Sequence, residues 1–467
     1  MIIERSIGVV LCLVLLAAIV AFEYQRDTYV DLLFVFNGTY GILYGFAPIF
    51  VLLHPNILTT GQEVYWATSF QETQHVIPYA TAVTLVFYLS FASVYIYTRD
   101  ELRTREAISD NVIIARFHRF TNEMWLAIGY GMVTIATISF LLYSLAFDGP
   151  ISVLLQAQEI RSGNLQADGA TTFFSYGVRL YFLAFFLFVG LNCNRQSLEQ
   201  LRLAGIGIGL ITSLFALVLF ASRNLAIFFI ASLVLMGYLT SDRKVGQRDI
   251  AIFAAMGIPI MLIILFMRPL LMVIGGQEIQ HDIFTPVYVA RIIQDISVPF
   301  ISLLVAIENT GISQAGWGTW FGRAFIDLIP KSLLSQDMVW TAINHNTELH
   351  GIEVDERQYS IVPGMVAYYF YELWYLAPII GAAITGIIVA TLNTAFNYLK
   401  QISGLGLMLG YLVIRSAGLM LNGDPASNLK NDSAILAALI GLIVLAWLWP
   451  SLERHIESQQ AIDVSFK

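Results

Sequence analysis

Two arginines stand inside runs of apolar residues, where a charge is costly and normally faces a polar cavity with a partner. Arg179 sits in Phe-Ser-Tyr-Gly-Val-Arg-Leu-Tyr (174–181) and Arg415 in Gly-Tyr-Leu-Val-Ile-Arg-Ser (410–416). Arg223 lies in Ala-Ser-Arg-Asn-Leu (221–225), which interrupts another apolar run, Arg268 follows a further run, and Arg291 lies in an amphipathic segment. Five guanidinium groups at a similar depth can meet at the mouth of one cavity. Guanidinium suits phosphate because its planar fork makes paired charge-assisted hydrogen bonds and never loses its proton, so such a cluster suits a diphosphate. The alternative for each is a snorkelling side chain or a structural ion pair. Arg161 reads as a solvated loop charge or a sixth candidate.

A second concentration of chemistry runs from Asn344 to Glu372 and holds His345, His350, Glu348, Glu353, Asp355, Glu356, Arg357 and Tyr359 ahead of Pro363-Gly364. Such a group can supply a general base for a hydroxyl and donors for a departing phosphate. His345, Glu372 and His350 are the candidate bases. Glu372 is distinctive because it is the only carboxylate well inside a predicted span, and pairing with an arginine is its alternative role. The two histidines are five apart and no established metal spacing occurs, so no metal site is expected. Glu353, Asp355 and Glu356 read as a solvated acidic loop or a divalent-ion site. P-loop, dinucleotide and Gly-x-Ser-x-Gly patterns are missing, which argues against ATP-driven chemistry and serine hydrolysis.

The elements that must position these residues are membrane helices. Hydrophobic residues make up 57% of the 467 and charged residues 12%, about half the usual share of a soluble chain. The apolar residues fall into blocks near the ~20 residues that cross a bilayer. Spans are predicted at 7–22, 30–53, 77–97, 124–147, 171–193, 203–221, 223–240, 249–267, 365–394, 404–421 and 432–449. The blocks 203–221 and 223–240 read as a tight helical hairpin with Arg223 at its turn. The first span, followed by Glu-Tyr-Gln-Arg-Asp (23–27) and no small-residue cleavage pattern, reads as a retained helix. Glycines 205, 207, 209, 404, 406 and 410 read as close-packing positions between helices. Cys12 and Cys193 suggest no disulfide framework, and a net charge of −8 without a polybasic run argues against nucleic acid.

Positive loops stay cytoplasmic. The 98–123 loop carries Arg99, Arg103, Arg105, Arg116 and Arg119, and the 241–249 loop carries Arg243, Lys244 and Arg248, whereas 54–76 has no Lys or Arg. The expected division is an N-terminal membrane bundle (1–267), a large outside loop (268–364), C-terminal spans (365–449) and a cytoplasmic tail (450–467). In the loop, Val289, Ile292, Ile293, Ile296, Phe300, Leu303 and Ile307 repeat at helical spacing, with Arg291, Gln294, Asp295 and Glu308 off the stripe. That pattern predicts an amphipathic helix, bent or interrupted near Pro299, in a domain resting on the outer surface with Trp317, Trp320 and Phe321 at headgroup level.

Many short-looped spans, one long outside loop, the Ala-Ser-Arg-Asn-Leu turn and Gln-Tyr-Ser-Ile-Val-Pro-Gly (358–364) together resemble the O-antigen, or repeat-unit, polymerases of the Wzy type. The resemblance implies an all-α, GT-C-like bundle of about eleven spans in the bacterial inner membrane. It implies a glycosyltransferase joining undecaprenyl-diphosphate-linked oligosaccharides, one as donor and one as acceptor, outside the cytoplasm. It implies no cofactor and no metal, with a chain-length regulator and a flippase as pathway partners. The arginine role then falls on Arg223 first, next on Arg179, Arg291 and Arg415, and on Arg357. An O-antigen ligase shares the donor chemistry, and Asn344-His345-Asn346 keeps that reading open. A lipid-oligosaccharide flippase or other secondary transporter is the alternative from another class, although no pair of matching broken helices is visible.

Overall fold

The computed structural model describes residues 2–26, 30–59, 64–104, 117, 119–157, 160, 174–193, 195–220, 223–239, 286–319, 321–322, 342–352, 361–400, 402, 405–422 and 432–465. Among these the protein is helical, with no strand. Six helical stretches are long and apolar enough to cross a membrane: Ile2–Gln25, Leu32–Leu53, Gln74–Leu102, Asn122–Phe147, Gln196–Phe220 and Met365–Leu399. Phe174–Gly190, Leu405–Ser416 and Ser433–Trp449 are apolar but shorter. These are the features of an integral membrane protein. The predicted span 249–267 lies outside the described residues.

Two hydrophobic cores divide the helices into two bundles. The first is built on α1 (Ile2–Gln25), α2 (Leu32–Leu53), α3 (Val64–Glu72) and α4 (Ile77–Thr104). In α1 the buried positions Gly8, Cys12, Leu15 and Ile19 recur at steps of four, three and four, which is one face of a helix. The other face is aliphatic and exposed, as lipid requires. A polar clasp ties one end of this bundle. Arg26 pairs with Glu23 at 3.1 Å and with Asp31 at 2.8 Å, and Asn393 donates to Asp31 (2.9 Å) and to the Tyr95 hydroxyl (2.8 Å).

The second bundle comprises α5 (Asn122–Ser144), α6 (Leu180–Gly190), α7 (Gln196–Phe220) and α8 (Arg223–Leu239), with further helices from the C-terminal region. Gly205 and Gly209 of α7 face Phe188 and Phe185 of α6, which brings those backbones close as expected; Gly207 faces open space. The expected α7/α8 hairpin is not formed as a packed pair among the described residues. α7 lies against α6 and α5, whereas α8 lies against α13 (Leu405–Asn422). The aromatic residues of α8 explain the choice, since Phe229 packs into the Phe182, Phe185 and Phe186 rings of α6 beside α13.

The long segment between the bundles departs most from the sequence expectation. Its amphipathic helix, α9 (Pro286–Asn309), runs unbroken through Pro299. Instead of resting on a surface it is sunk into the first bundle, with Phe300 to Ile307 all buried and Gln294, Ser297 and Ser302 buried from its polar side. It packs against α2, α3, α10 (Ala342–Leu349) and α11 (Met365–Leu373). The physical reason is that its polar face finds partners inside the protein. Gln294 Nε2, for instance, donates to the Ile57 carbonyl at 2.8 Å.

The predicted span 365–394 is likewise not one rod. Thr385 Oγ1 lies within hydrogen-bonding reach of Met365 Sδ at 3.8 Å and of the Tyr369 hydroxyl at 3.2 Å. Residues so far apart in one continuous helix would be separated by about 30 Å or 24 Å respectively. The chain therefore reverses, at Trp374, whose φ is +49°. α11 is a short re-entrant helix lying antiparallel to the following one, which begins as a π turn (Ala377–Gly381) and continues as α12 (Ala382–Leu399). Gly364, at φ +77°, opens α11 with Pro299 and the Tyr44 hydroxyl so close that any side chain would collide with them. α14 (Ser433–Ser465) closes the chain.

Candidate functional site

The second bundle holds a buried charge cluster at the ends of four of its elements. Arg179 stands just before α6, Arg415 in the second half of α13, and Asp432 immediately before α14. Arg415 Nε donates to Asp432 Oδ1 at 2.9 Å, its Nη2 bonds the same oxygen, and Arg179 Nη1 reaches that oxygen at 3.4 Å. The Phe220 ring at the end of α7 lies 5.1 Å from the Arg179 guanidinium and the Tyr176 ring 5.7 Å from it, so aromatic faces share the cation's solvation. Both arginine side chains are nearly excluded from solvent, at 11% and 3% exposure.

Among the described residues, two guanidinium groups thus meet one carboxylate in a site of low dielectric, where charge–charge interactions are strong. Arg415 Nη1 is buried and has no hydrogen-bond partner among the described residues. Fixed guanidinium N–H donors of this kind can bond an anion with several oxygens.

The chain matches no protein-family model, no curated protein and no solved structure. The functional reading therefore rests on the residues themselves.

The second cluster lies in the first bundle, where α3, α9, α10 and α11 meet. His350 is hydrogen-bonded through Nδ1 to Ser69 Oγ (2.9 Å) and through Nε2 to Ser302 Oγ (3.3 Å). Asn346 Nδ2 donates to Ser302 Oγ (3.1 Å) and to the Ile361 carbonyl (3.0 Å), and its Oδ1 accepts from the Tyr371 hydroxyl at 2.6 Å. Burial holds the His350 imidazole far below the usual histidine range, down to about 3. The ring is neutral with both nitrogens occupied, which makes it a fastener between helices. As a base it is excluded while those two bonds stand.

Glu372, fully buried at the end of α11, has its carboxylate taken by backbone amides: Gly318 N–H donates to Oε2 and Phe321 N–H to Oε1, each at 2.6 Å. The backbone reinforces this, since Gly316 N–H donates to the Tyr371 carbonyl (2.7 Å) and Trp317 N–H to the Glu372 carbonyl (2.8 Å). The expectation of a base well inside a span is thus corrected. Glu372 lies two residues before the chain reversal and anchors the 316–322 segment over it. Its position arises because a re-entrant helix ends where a span would have continued.

His345 is half-buried, sits edge-on to the Tyr371 ring at 5.1 Å, and is also shifted below the usual histidine range by burial. Of the three candidate bases it alone keeps partial exposure. Arg223 opens α8, which packs on α13, but its side chain lies outside the described residues, as does that of Arg291. Arg268, Arg357, Arg161 and the acidic residues Glu353, Asp355 and Glu356 also lie outside them. Of the five arginines expected to converge, the structure brings Arg179 and Arg415 together. Asp432 was the residue the sequence reading missed; the available signal was an acid at the very edge of the last apolar run.

Proposed function

We propose that the protein is a membrane glycosyltransferase that joins polyprenyl-diphosphate-linked oligosaccharide repeat units into a surface polysaccharide. The observation that carries this is the meeting of Arg179 and Arg415 on the single carboxylate of Asp432. Asp432 holds both forks in place before substrate arrives, and the buried Arg415 Nη1, which has no hydrogen-bond partner among the described residues, is a donor for the diphosphate. Transfer breaks the bond between the anomeric carbon and the diphosphate oxygen, which leaves with its electron pair and is met by fixed guanidinium groups. The acceptor hydroxyl forms the new bond to that carbon and gives its proton to His345, whose shift below the usual histidine range leaves the imidazole neutral before transfer. α13 supports the coupling of the two regions, because it carries Arg415 and also packs on α11, whose Tyr371 touches His345.

In this reading the chain crosses the bacterial inner membrane about eleven times in a GT-C-like arrangement. The Arg99 and Arg119 loop is cytoplasmic and the arginine pair faces outward. The ligase reading differs only in acceptor. The re-entrant helix α11 favours a second reading, a lipid-oligosaccharide flippase or other secondary transporter, since broken helices mark the sites of such proteins.

The test is reconstitution of the full chain with an undecaprenyl-diphosphate-linked repeat unit. Polymerase activity gives a ladder of products, and Arg179→Ala or Arg415→Ala reduces it by about 100-fold or more while single units stay on the carrier. A ladder unchanged in both variants removes the arginine pair from the mechanism. Movement of intact donor across the bilayer with no new glycosidic bond establishes the transport reading instead.

A further inference from the structure

A cavity of about 340 Å³ with a mixed polar and apolar lining opens in the first bundle between the start of α1, the turn at Pro55–Thr59, and α3 with the short turn that follows it. Its volume falls in the range of small-molecule sites. Arg5 is the one charged side chain among its described lining residues, and Asn56, Thr59, Gln71 and Gln74 supply amide and hydroxyl groups. We propose that this cavity binds an anionic group carried on a hydroxyl-rich moiety, such as the carboxylate of an acidic sugar or the phosphate of a glycerol-type lipid headgroup.

The guanidinium is held ready. Arg5 Nη2 donates to Gln74 Oε1 at 2.9 Å, and its carbon lies 5.8 Å from the centroid of the buried Phe70 ring. Arg5 Nε is buried with no hydrogen-bond partner among the described residues. One bond fixes the fork and a ring supports it, so donors are left for a bidentate anion. The opposite wall is equally fixed. Gln294 of α9 holds the Ile57 carbonyl, and Thr59 Oγ1 donates to the Asn56 carbonyl at 2.8 Å. Behind α3, Ser69 is fastened to His350, so Phe70 beside it stands on a helix that cannot drift. A fixed cation with amide and hydroxyl groups around it matches the oxygens of a polyhydroxylated anion. A cation finds no complement in the described lining, whose one charged side chain is Arg5.

This site does not rest on the transferase reading, because its binding is measured without turnover. The full chain in phosphatidylcholine nanodiscs is probed by saturation-transfer NMR with D-glucuronate and, separately, with D-glucose. Phosphatidylglycerol retention is counted by native mass spectrometry after mixed-lipid reconstitution. Two variants are compared with the parent: Arg5→Gln, and Gln71→Glu at an exposed position where the fold is not at stake. We expect glucuronate or phosphatidylglycerol to bind the parent and to lose roughly tenfold or more in both variants. Loss of glucuronate assigns the occupant to a saccharide, and loss of phosphatidylglycerol assigns it to a lipid headgroup. Should Arg5→Gln fail to fold, Gln71→Glu decides. Glucose bound as well as glucuronate, or neither anion sensitive to Gln71→Glu, overturns the proposal.

Discussion

Two buried polar clusters, one in each bundle, are built in different ways. In the first, Ser69, Ser302, Asn346, His350 and Tyr371 form a closed, neutral network in which each donor meets an acceptor, and the Glu372 carboxylate is met by two amide N–H groups. In the second, Arg179 and Arg415 both reach one oxygen of Asp432, and charged groups carry the cluster. A satisfied network rigidifies and specifies packing, whereas charge in a dry site is retained at a desolvation cost.

The sharpest way to break this comparison is Asp432→Asn. It removes the carboxylate that two buried guanidinium groups share, and loss of a buried partner of this kind costs about 3–5 kcal/mol. Thermal unfolding in detergent should shift strongly downward. An unchanged midpoint would mean that the charge cluster is solvated and that the contrast between the bundles is false.

Glu372→Gln should have a smaller effect, and one on stability alone. The amide keeps one oxygen acceptor but turns an NH2 toward an amide N–H, so about 2–3 kcal/mol is lost. Activity per folded molecule should be retained. A collapse of turnover in a variant with parental stability would return Glu372 to the chemistry.

The mildest probe is acid. His350 is held near 3 in the folded protein by burial, below its ordinary value of about 6.5 when exposed. Above about 6.5 both states are neutral and the group contributes no pH dependence. Between about 6.5 and 3 the unfolded chain takes up a proton that the folded chain refuses, so stability falls as pH falls, by about 1.4 kcal/mol per unit. Going from about pH 6.5 to pH 5 should therefore lower stability by about 2 kcal/mol. His345 shifts in the same direction and adds to the slope. Substituting His350→Gln should flatten it, and an equal slope in that variant would assign the acid sensitivity elsewhere.

What the sequence determined by itself is what depends on local composition. An apolar run of some twenty residues has few fates, and an arginine within one is conspicuous because its burial is so costly; Arg179 and Arg415 were legible for that reason. The re-entrant turn was not legible. Met365 to Leu399 reads as one unbroken apolar block, and the reversal at Trp374 goes with tertiary contacts on either side of it, Pro299 and Tyr44 against Gly364 and Tyr369 against Gly381. The partners of Glu372 are backbone amides, which carry no side-chain signature. Arg179 and Asp432 are separated by 253 positions, and only the packing of α6, α13 and α14 decides that they meet. Burial cost is a property of a residue and its neighbours in the chain, so sequence reveals it; compensation for that cost is supplied by groups distant in the chain, and tertiary structure alone brings them within reach.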